Sequence, residues 1–184
     1  MLIKKCLLSK KNYIQNKYMR DKLRVLGIEL LNSNLTIGTV EHCTSGLLGA
    51  SISSMCGLDT VYCGTIVVVD QPHMEKLLDV SPNAIKNNGL VSSQVACQMA
   101  LNGLYKLNTD ICVAVVGNVS PTENFNEDTH NVVWVCIATM TDKKVDFKYS
   151  KIQVHGLRGQ NIETVIESAL DALIVEVKRI TLEE

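Results

Sequence analysis

The segment Leu35–Gly46, LTIGTVEHCTSG, constrains the fold more than any other part of the chain. Leu35–Val40 has the length and apolar character of a strand. It runs directly into the polar stretch Glu41-His42-Cys43-Thr44-Ser45-Gly46. A helix rich in small residues starts at about Thr44, covers Ser45–Met55 and ends at Cys56-Gly57. Strand–turn–helix units of this kind build open α/β sheets, whose ligands bind beyond the carboxyl ends of the strands, where helix N-termini point free N–H groups at them. Glu41–Gly46 is therefore a candidate site, with Thr44 and the helix N-terminus as donors to an anion.

The pattern continues downstream. Residues from about Lys22 to Asn32 predict a leading helix with Leu23, Leu26, Leu30 and Leu31 on one face. Val61–Val69 is rich in β-branched residues and predicts a buried strand. Pro72 suits the first turn of a helix reaching about Leu78, and Ser81-Pro82 opens a shorter one ending at Asn87-Asn88-Gly89. Ser92 is a good N-cap for Ser93–Lys106. Asp110–Val116 is nearly continuous in apolar residues, as a central strand covered on both faces would be. A polar loop, Gly117–Thr129, follows. Asn131–Met140 and Val145–Val154 predict an antiparallel pair joined at Thr141-Asp142-Lys143-Lys144. Asn161–Ile180 predicts the last helix, with Ile162, Val165, Ile166, Ala169, Leu173 and Val177 inward. Alternating strands and helices followed by a hairpin predict an α/β fold, a three-layer α/β/α sandwich around a mixed sheet.

A length of 184 residues suits one such domain, here read as residues 21–184 behind a basic extension over 1–20. No run approaches the ~18 apolar residues of a transmembrane helix. The seven cysteines include no C-x-x-C pair, which argues against a disulfide framework or a zinc knuckle. Cys63, Cys97, Cys112 and Cys136 sit in apolar runs and are expected to be reduced core thiols of a cytoplasmic protein. Residues 1–24 carry a net charge of +7 and the remainder −8. The basic arm has no strong amphipathic stripe, so a solvated extension is favoured over a nucleic-acid or membrane contact. An interaction role for the arm stays as a third reading.

Several motifs in order resemble one family. Thr36-Ile37-x-Thr39-x-Glu41-x-Cys43-Thr44-x-Gly46 is similar to the E-S-C-T-G-G signature of the CinA C-terminal domain family, the nicotinamide-nucleotide amidases. Gly64 opens the next strand. Leu77-Leu78-x-Val80-Ser81-Pro82 resembles L-L-G-V-S-P, Gly89-Leu90-Val91-Ser92 resembles G-A-V-S, and Gly156-x-Arg158 resembles G-D-R. The likeness runs from about Lys22 to Ile180. It implies hydrolysis of the amide of nicotinamide mononucleotide to nicotinate mononucleotide and ammonia, with no cofactor and no metal. It also implies a pyridine nucleotide or other phosphate-bearing ligand, and self-association into a homo-oligomer.

The residues that carry the family chemistry are replaced. The serine nucleophile falls on His42, the strand-end tyrosine on Val69 and the lysine base on Met74. A serine attacks an amide only when a base removes its proton, so losing both members removes the mechanism. The glycine-rich phosphate loop becomes Val116-Gly117-Asn118-Val119-Ser120-Pro121-Thr122-Glu123-Asn124, in which side chains crowd the backbone approach to phosphate and Glu123 repels it. These departures predict a degenerate site with lost or much reduced catalysis and a residual binding role. Glu41, Thr44, Ser45, Gly46, Gly117 and Arg158 are the expected ligand-binding residues, Glu41 alternatively orienting the loop backbone and Arg158 alternatively capping strand ends. Two other chemistries compete. His42 with Thr44 or Ser45, oriented by Glu41, would make a rearranged nucleophile–base pair, and His42 with Cys43 another, although Cys43 reads as buried. His42, Asp70 and His73 would make a metal site if they converge, but their spacing is no metal signature.

Overall fold

The computed structural model describes residues 17–120, 131–142 and 144–183. The first helix, α1 (Lys17–Ser33), starts one turn earlier than its apolar stripe predicts, because Met19 is buried beside Leu23, Leu26 and Leu30. Lys17–Arg20 are therefore helical. The remainder of the arm lies outside the described residues.

Strand β1 (Ile37–Glu41) follows, then helix α2 (Leu47–Ser53), a 3-10 turn (Leu58–Thr60) and β2 (Tyr62–Val67). Helices α3 (Gln71–Leu78), α4 (Pro82–Asn88) and α5 (Ser93–Leu107) lead to β3 (Ile111–Gly117). The hairpin β4 (Val132–Thr141) and β5 (Lys144–Gln153) precedes the last helix, α6 (Arg158–Glu183). Local chemistry starts the helices. Asp70 and Ser92 are N-caps whose side chains accept from the His73 and Val95 backbone N–H groups, and Pro sits in the first turn of α3 and α4.

The five strands form one sheet in the order β2-β1-β3-β4-β5. β1 is parallel to both β2 and β3, while β4 and β5 run antiparallel. Alternate strand residues feed two cores. Ile37, Val113, Val115, Val133 and Val135 pack with α1, α2 and α6 on one face. Val40, Cys112, Ala114, Val116, Cys136 and Ala138 pack with α3, α4 and α5 on the other. This is the three-layer sandwich, and β3, buried along its whole length, is its central strand.

Three expectations fail here. β2 is an edge strand whose residues alternate between half-buried and exposed, not a buried one. Its Cys63 is consequently exposed. Cys56 is held in a disulfide, which spacing along the chain does not reveal.

The α5 layer lies unusually close to the sheet at Gly103. A methyl group there would come within 2.3 Å of Val40 Cγ2 and 2.8 Å of Cys112 Sγ, both in the fully buried core. Gly103→Ala is expected to destabilise the fold by about 1–3 kcal/mol through overpacking, despite the better helix propensity of alanine. Urea unfolding measures this; a stability equal to or above that of the parent would contradict the close approach.

Candidate functional site

β1 and β3 end side by side; β1 leads into α2 on one face of the sheet, and helices α3, α4 and α5, which connect β2 to β3, cover the other. That is the switch point at which open α/β sheets bind ligands. The first residue at this edge, Glu41, is wholly buried. Its Oε2 accepts from Thr44 Oγ1 (2.6 Å), Gly46 N (3.0 Å) and Leu48 N (3.1 Å). Its Oε1 accepts from Gly49 N (2.7 Å) and, at longer range, from Thr65 Oγ1 (3.3 Å) and Thr39 Oγ1 (3.4 Å). Ser45 and Gly46 adopt left-handed backbone (φ 54° and 90°), which turns the following N–H groups onto the carboxylate.

This arrangement corrects the anion-binding expectation. The N-terminus of α2 is already occupied by a protein carboxylate. Thr44, buried with its hydroxyl donated to Glu41, is not available as nucleophile or ligand donor. Glu41 orients the loop backbone, and Gly46 serves the turn. Neither lines the cavity above them.

That cavity, about 400 Å³, receives four of the predicted residues: His42, Ser45, Gly117 and Arg158. Val69 also lines it and is 64% exposed, at the position where the resemblance places a tyrosine. Met74 does not. It is fully buried in the apolar cluster beneath α3, so the position matched to the lysine contributes no group to the cavity. Pro121, Thr122, Glu123 and Asn124 lie outside the described residues.

His42 Nδ1 stands 3.1 Å from the Gly117 carbonyl oxygen, which ties the ring to the end of β3. Burial holds the imidazole below its ordinary pKa. Backbone contacts with Gly117 and Val69 oppose this, the Arg158 charge adds to it, and Asp70 opposes it weakly. His42 is therefore neutral at pH 7. Among the described residues no hydrogen bond joins it to Thr44 or Ser45, and the carboxylate that would orient it is committed to α2. Cys43 is buried, and desolvation pushes its thiol up to about 12, so it is no thiolate nucleophile.

The metal reading also loses its geometry. Asp70 accepts from the His73 backbone N–H (2.9 Å) and pairs with the His73 ring, a local cap on α3. Among the described residues no three His, Cys, Asp or Glu side chains converge as a ligand set.

Arg158 opens α6 and reaches across the cavity mouth, its Nη1 donating to Ser120 Oγ at 2.6 Å. Asn161 fixes its position. That side chain, almost wholly buried, donates to the Val119 and Gly156 carbonyls (2.9 and 2.8 Å) and accepts from Gly156 N (2.7 Å). Nothing in the neighbourhood of Asn161 along the chain announces this role. Asn118 and Val91 line the cavity and were also missed. Asn118 directly follows the last residue of β3, so the strand-end rule could have found it.

Known proteins match the chain in sequence and in fold. The family model of the CinA C-terminal domain matches residues 20–177. The chain belongs to that family. A CinA-like protein of Thermosipho melanesiensis is 37% identical over 101 residues, covering 55% of this chain and 25% of that protein. A putative competence-damage inducible protein of Listeria innocua is 31% identical over 131 residues, covering 70% of this chain and 31% of its own length. The chain thus spans only a quarter to a third of these relatives. A Mycoplasma pneumoniae protein, the MG115 homolog, is 34% identical over 125 residues and is covered over 78% of its length, with 68% of this chain. The fold matches the crystal structure of the competence/damage-inducible protein CihA from Agrobacterium tumefaciens with a TM-score of 0.82 at 21% identity, covering 88% of this chain and 97% of that one. It matches a CinA-superfamily protein of Klebsiella pneumoniae at 0.78, with 18% identity and coverage of 90% and 99%.

Two outcomes follow for this CinA-type site. Glu41→Gln places an amide NH₂ among N–H donors and removes one acceptor, so it should cost about 2–4 kcal/mol of stability in urea unfolding; a neutral effect would mean the network does not hold the turn. The second concerns pH. Because the folded pKa of His42 is depressed, the unfolded chain binds the proton more readily; the stabilisation is complete above the unfolded value, about 6.5, and is lost as pH falls below it. The stability difference between parent and His42→Gln should therefore shift in favour of the variant between about pH 7 and pH 5. A difference that stays constant over that range would refute the buried neutral imidazole.

Proposed function

We propose that this CinA-type domain has given up amide hydrolysis and keeps its cavity as a binding site for a small phosphate-bearing molecule of the pyridine-nucleotide class. The observation that supports this most is the pairing of an open cavity with a disarmed edge. His42 stands at the nucleophile position and is hydrogen-bonded to Gly117, while Met74, at the base position, is buried away from the cavity. Among the described residues no hydroxyl is hydrogen-bonded to His42 as an alkoxide-generating pair would be. Arg158, by contrast, carries a guanidinium at the cavity mouth, where it can take two oxygens of a phosphate or carboxylate. His42 and Asn118 add hydrogen-bonding groups that suit an amide or a ribose hydroxyl.

The test is ammonia release from nicotinamide mononucleotide by the purified protein, beside calorimetric titration of the same compound. No ammonia above the blank is expected, together with measurable binding that weakens about tenfold or more in Arg158→Ala, a loss of about 1.4 kcal/mol. Ammonia release by the parent would overturn the reading and point to Ser45, the hydroxyl that lines the cavity, as a rearranged nucleophile. An absence of both ammonia and binding would remove pyridine nucleotides from the proposal.

A further inference from the structure

On the other face of the sheet, away from Glu41, two thiols meet across a layer boundary. Cys97 lies one turn into α5 and Cys136 in the middle of β4, and their Sγ atoms are 3.2 Å apart. Both are free thiols. They are 39 residues apart in the chain and are brought together only because α5 packs on β4. A disulfide needs an S–S distance near 2.05 Å, so bond formation asks the two sulfurs to approach by about 1 Å, within the reach of side-chain rotation.

The pair is also asymmetric in the way a peroxide-reactive pair must be. Cys136 is wholly buried, whereas Cys97 is half-buried and open to a small oxidant. The Cys136 S–H donates to Cys97 Sγ, and this donor lowers the Cys97 pKa against the opposing effect of burial. The same hydrogen bond, followed by burial, holds Cys136 up as the protonated partner. Cys112, on the same face, is buried and likewise held protonated by desolvation.

We infer that Cys97 and Cys136 are a reversible oxidation site, in which a hydroperoxide converts the two thiols to an intramolecular disulfide joining α5 to β4. The Cys97 thiolate attacks one peroxide oxygen, forming an S–O bond and breaking O–O, and the other oxygen leaves as hydroxide that takes up a proton. The resulting sulfenic acid at Cys97 is then attacked by Cys136 sulfur. The S–S bond forms, S–O breaks, and the Cys136 proton leaves with the hydroxyl as water. Two thiols and one hydrogen peroxide thus give one disulfide and two waters. Val91, which lines the cavity, stands just ahead of α5, so the bridge fastens to the sheet the helix that follows this part of the cavity wall.

The experiment treats the folded protein, and a Cys63→Ser variant lacking the exposed competing thiol, with stoichiometric hydrogen peroxide. Remaining thiols are blocked with N-ethylmaleimide, and non-reduced digests are mapped by mass spectrometry. The expected product is a peptide pair joined through Cys97 and Cys136 with loss of two hydrogens, independent of protein concentration and released by dithiothreitol. In Cys136→Ser the same treatment should leave a dimedone-reactive sulfenic acid at Cys97. The inference is overturned if both cysteines are recovered as maleimide adducts, if Cys97 passes to sulfinic acid while Cys136 stays free, or if Cys97 is joined to any cysteine other than Cys136. The cross-link map of the parent and Cys63→Ser proteins decides the matter even if Cys136→Ser fails to fold.

Discussion

The buried carboxylate of Glu41 is the interaction on which the carboxyl edge of this sheet depends. A charge taken out of water is costly unless hydrogen-bond donors replace its hydration. Glu41 finds those donors in three successive elements: the hydroxyl of Thr44 in the turn, the backbone N–H groups of Gly46, Leu48 and Gly49 at the start of α2, and Thr65 on β2. The first N–H groups of a helix have no partner within it. Carboxylate and helix end therefore satisfy each other, and the strand, the turn, the helix and the edge strand are locked into one geometry. The left-handed backbone at Ser45 and Gly46 is the conformational cost of aiming those N–H groups inward.

Filling that site internally changes what the edge can recognise. A helix terminus that would otherwise attract phosphate is already neutralised, so positive charge at the cavity comes from the opposite wall, where Arg158 stands at the start of α6. Its place depends in turn on Asn161, which ties the Gly156 corner to Val119. Between these two rigid walls sits His42, kept neutral by burial and by the neighbouring guanidinium. Among the described residues the cavity joins one guanidinium, that of Arg158, to uncharged hydrogen-bonding groups.

Much of the fold was legible because it is written locally. Ser92 caps α5 as its hydroxyl dictates, Pro72 and Pro82 open their helices, and the apolar run of β3 reads as a central strand because both of its faces are covered. β2 misled for the opposite reason. β-branched composition marks a strand but not its place in the sheet, and the order β2-β1-β3-β4-β5 leaves it at an edge with Cys63 outside. The candidate site was legible as a stretch but not residue by residue. Glu41 through Gly46 does form the edge, but the left-handed turn at Ser45 and Gly46 breaks strand alternation, so His42, Cys43 and Ser45 line the cavity while Glu41 and Thr44 face inward.

The sequence by itself determined which segments form strands and helices, that they alternate into a layered α/β domain, and that His42 and Met74 stand where the resemblance places a serine and a lysine. These are properties of hydrophobic period, capping chemistry and residue identity, each expressed within a few neighbours. Only the tertiary structure decided that the α2 N-terminus is closed by Glu41, that Asn161 positions the wall bearing Arg158, that Met74 is core, and that Cys97 meets Cys136. Each of these rests on a distance or a burial set by how the layers stack. Direction and solvent access are consequences of that stacking, and a linear pattern does not carry them.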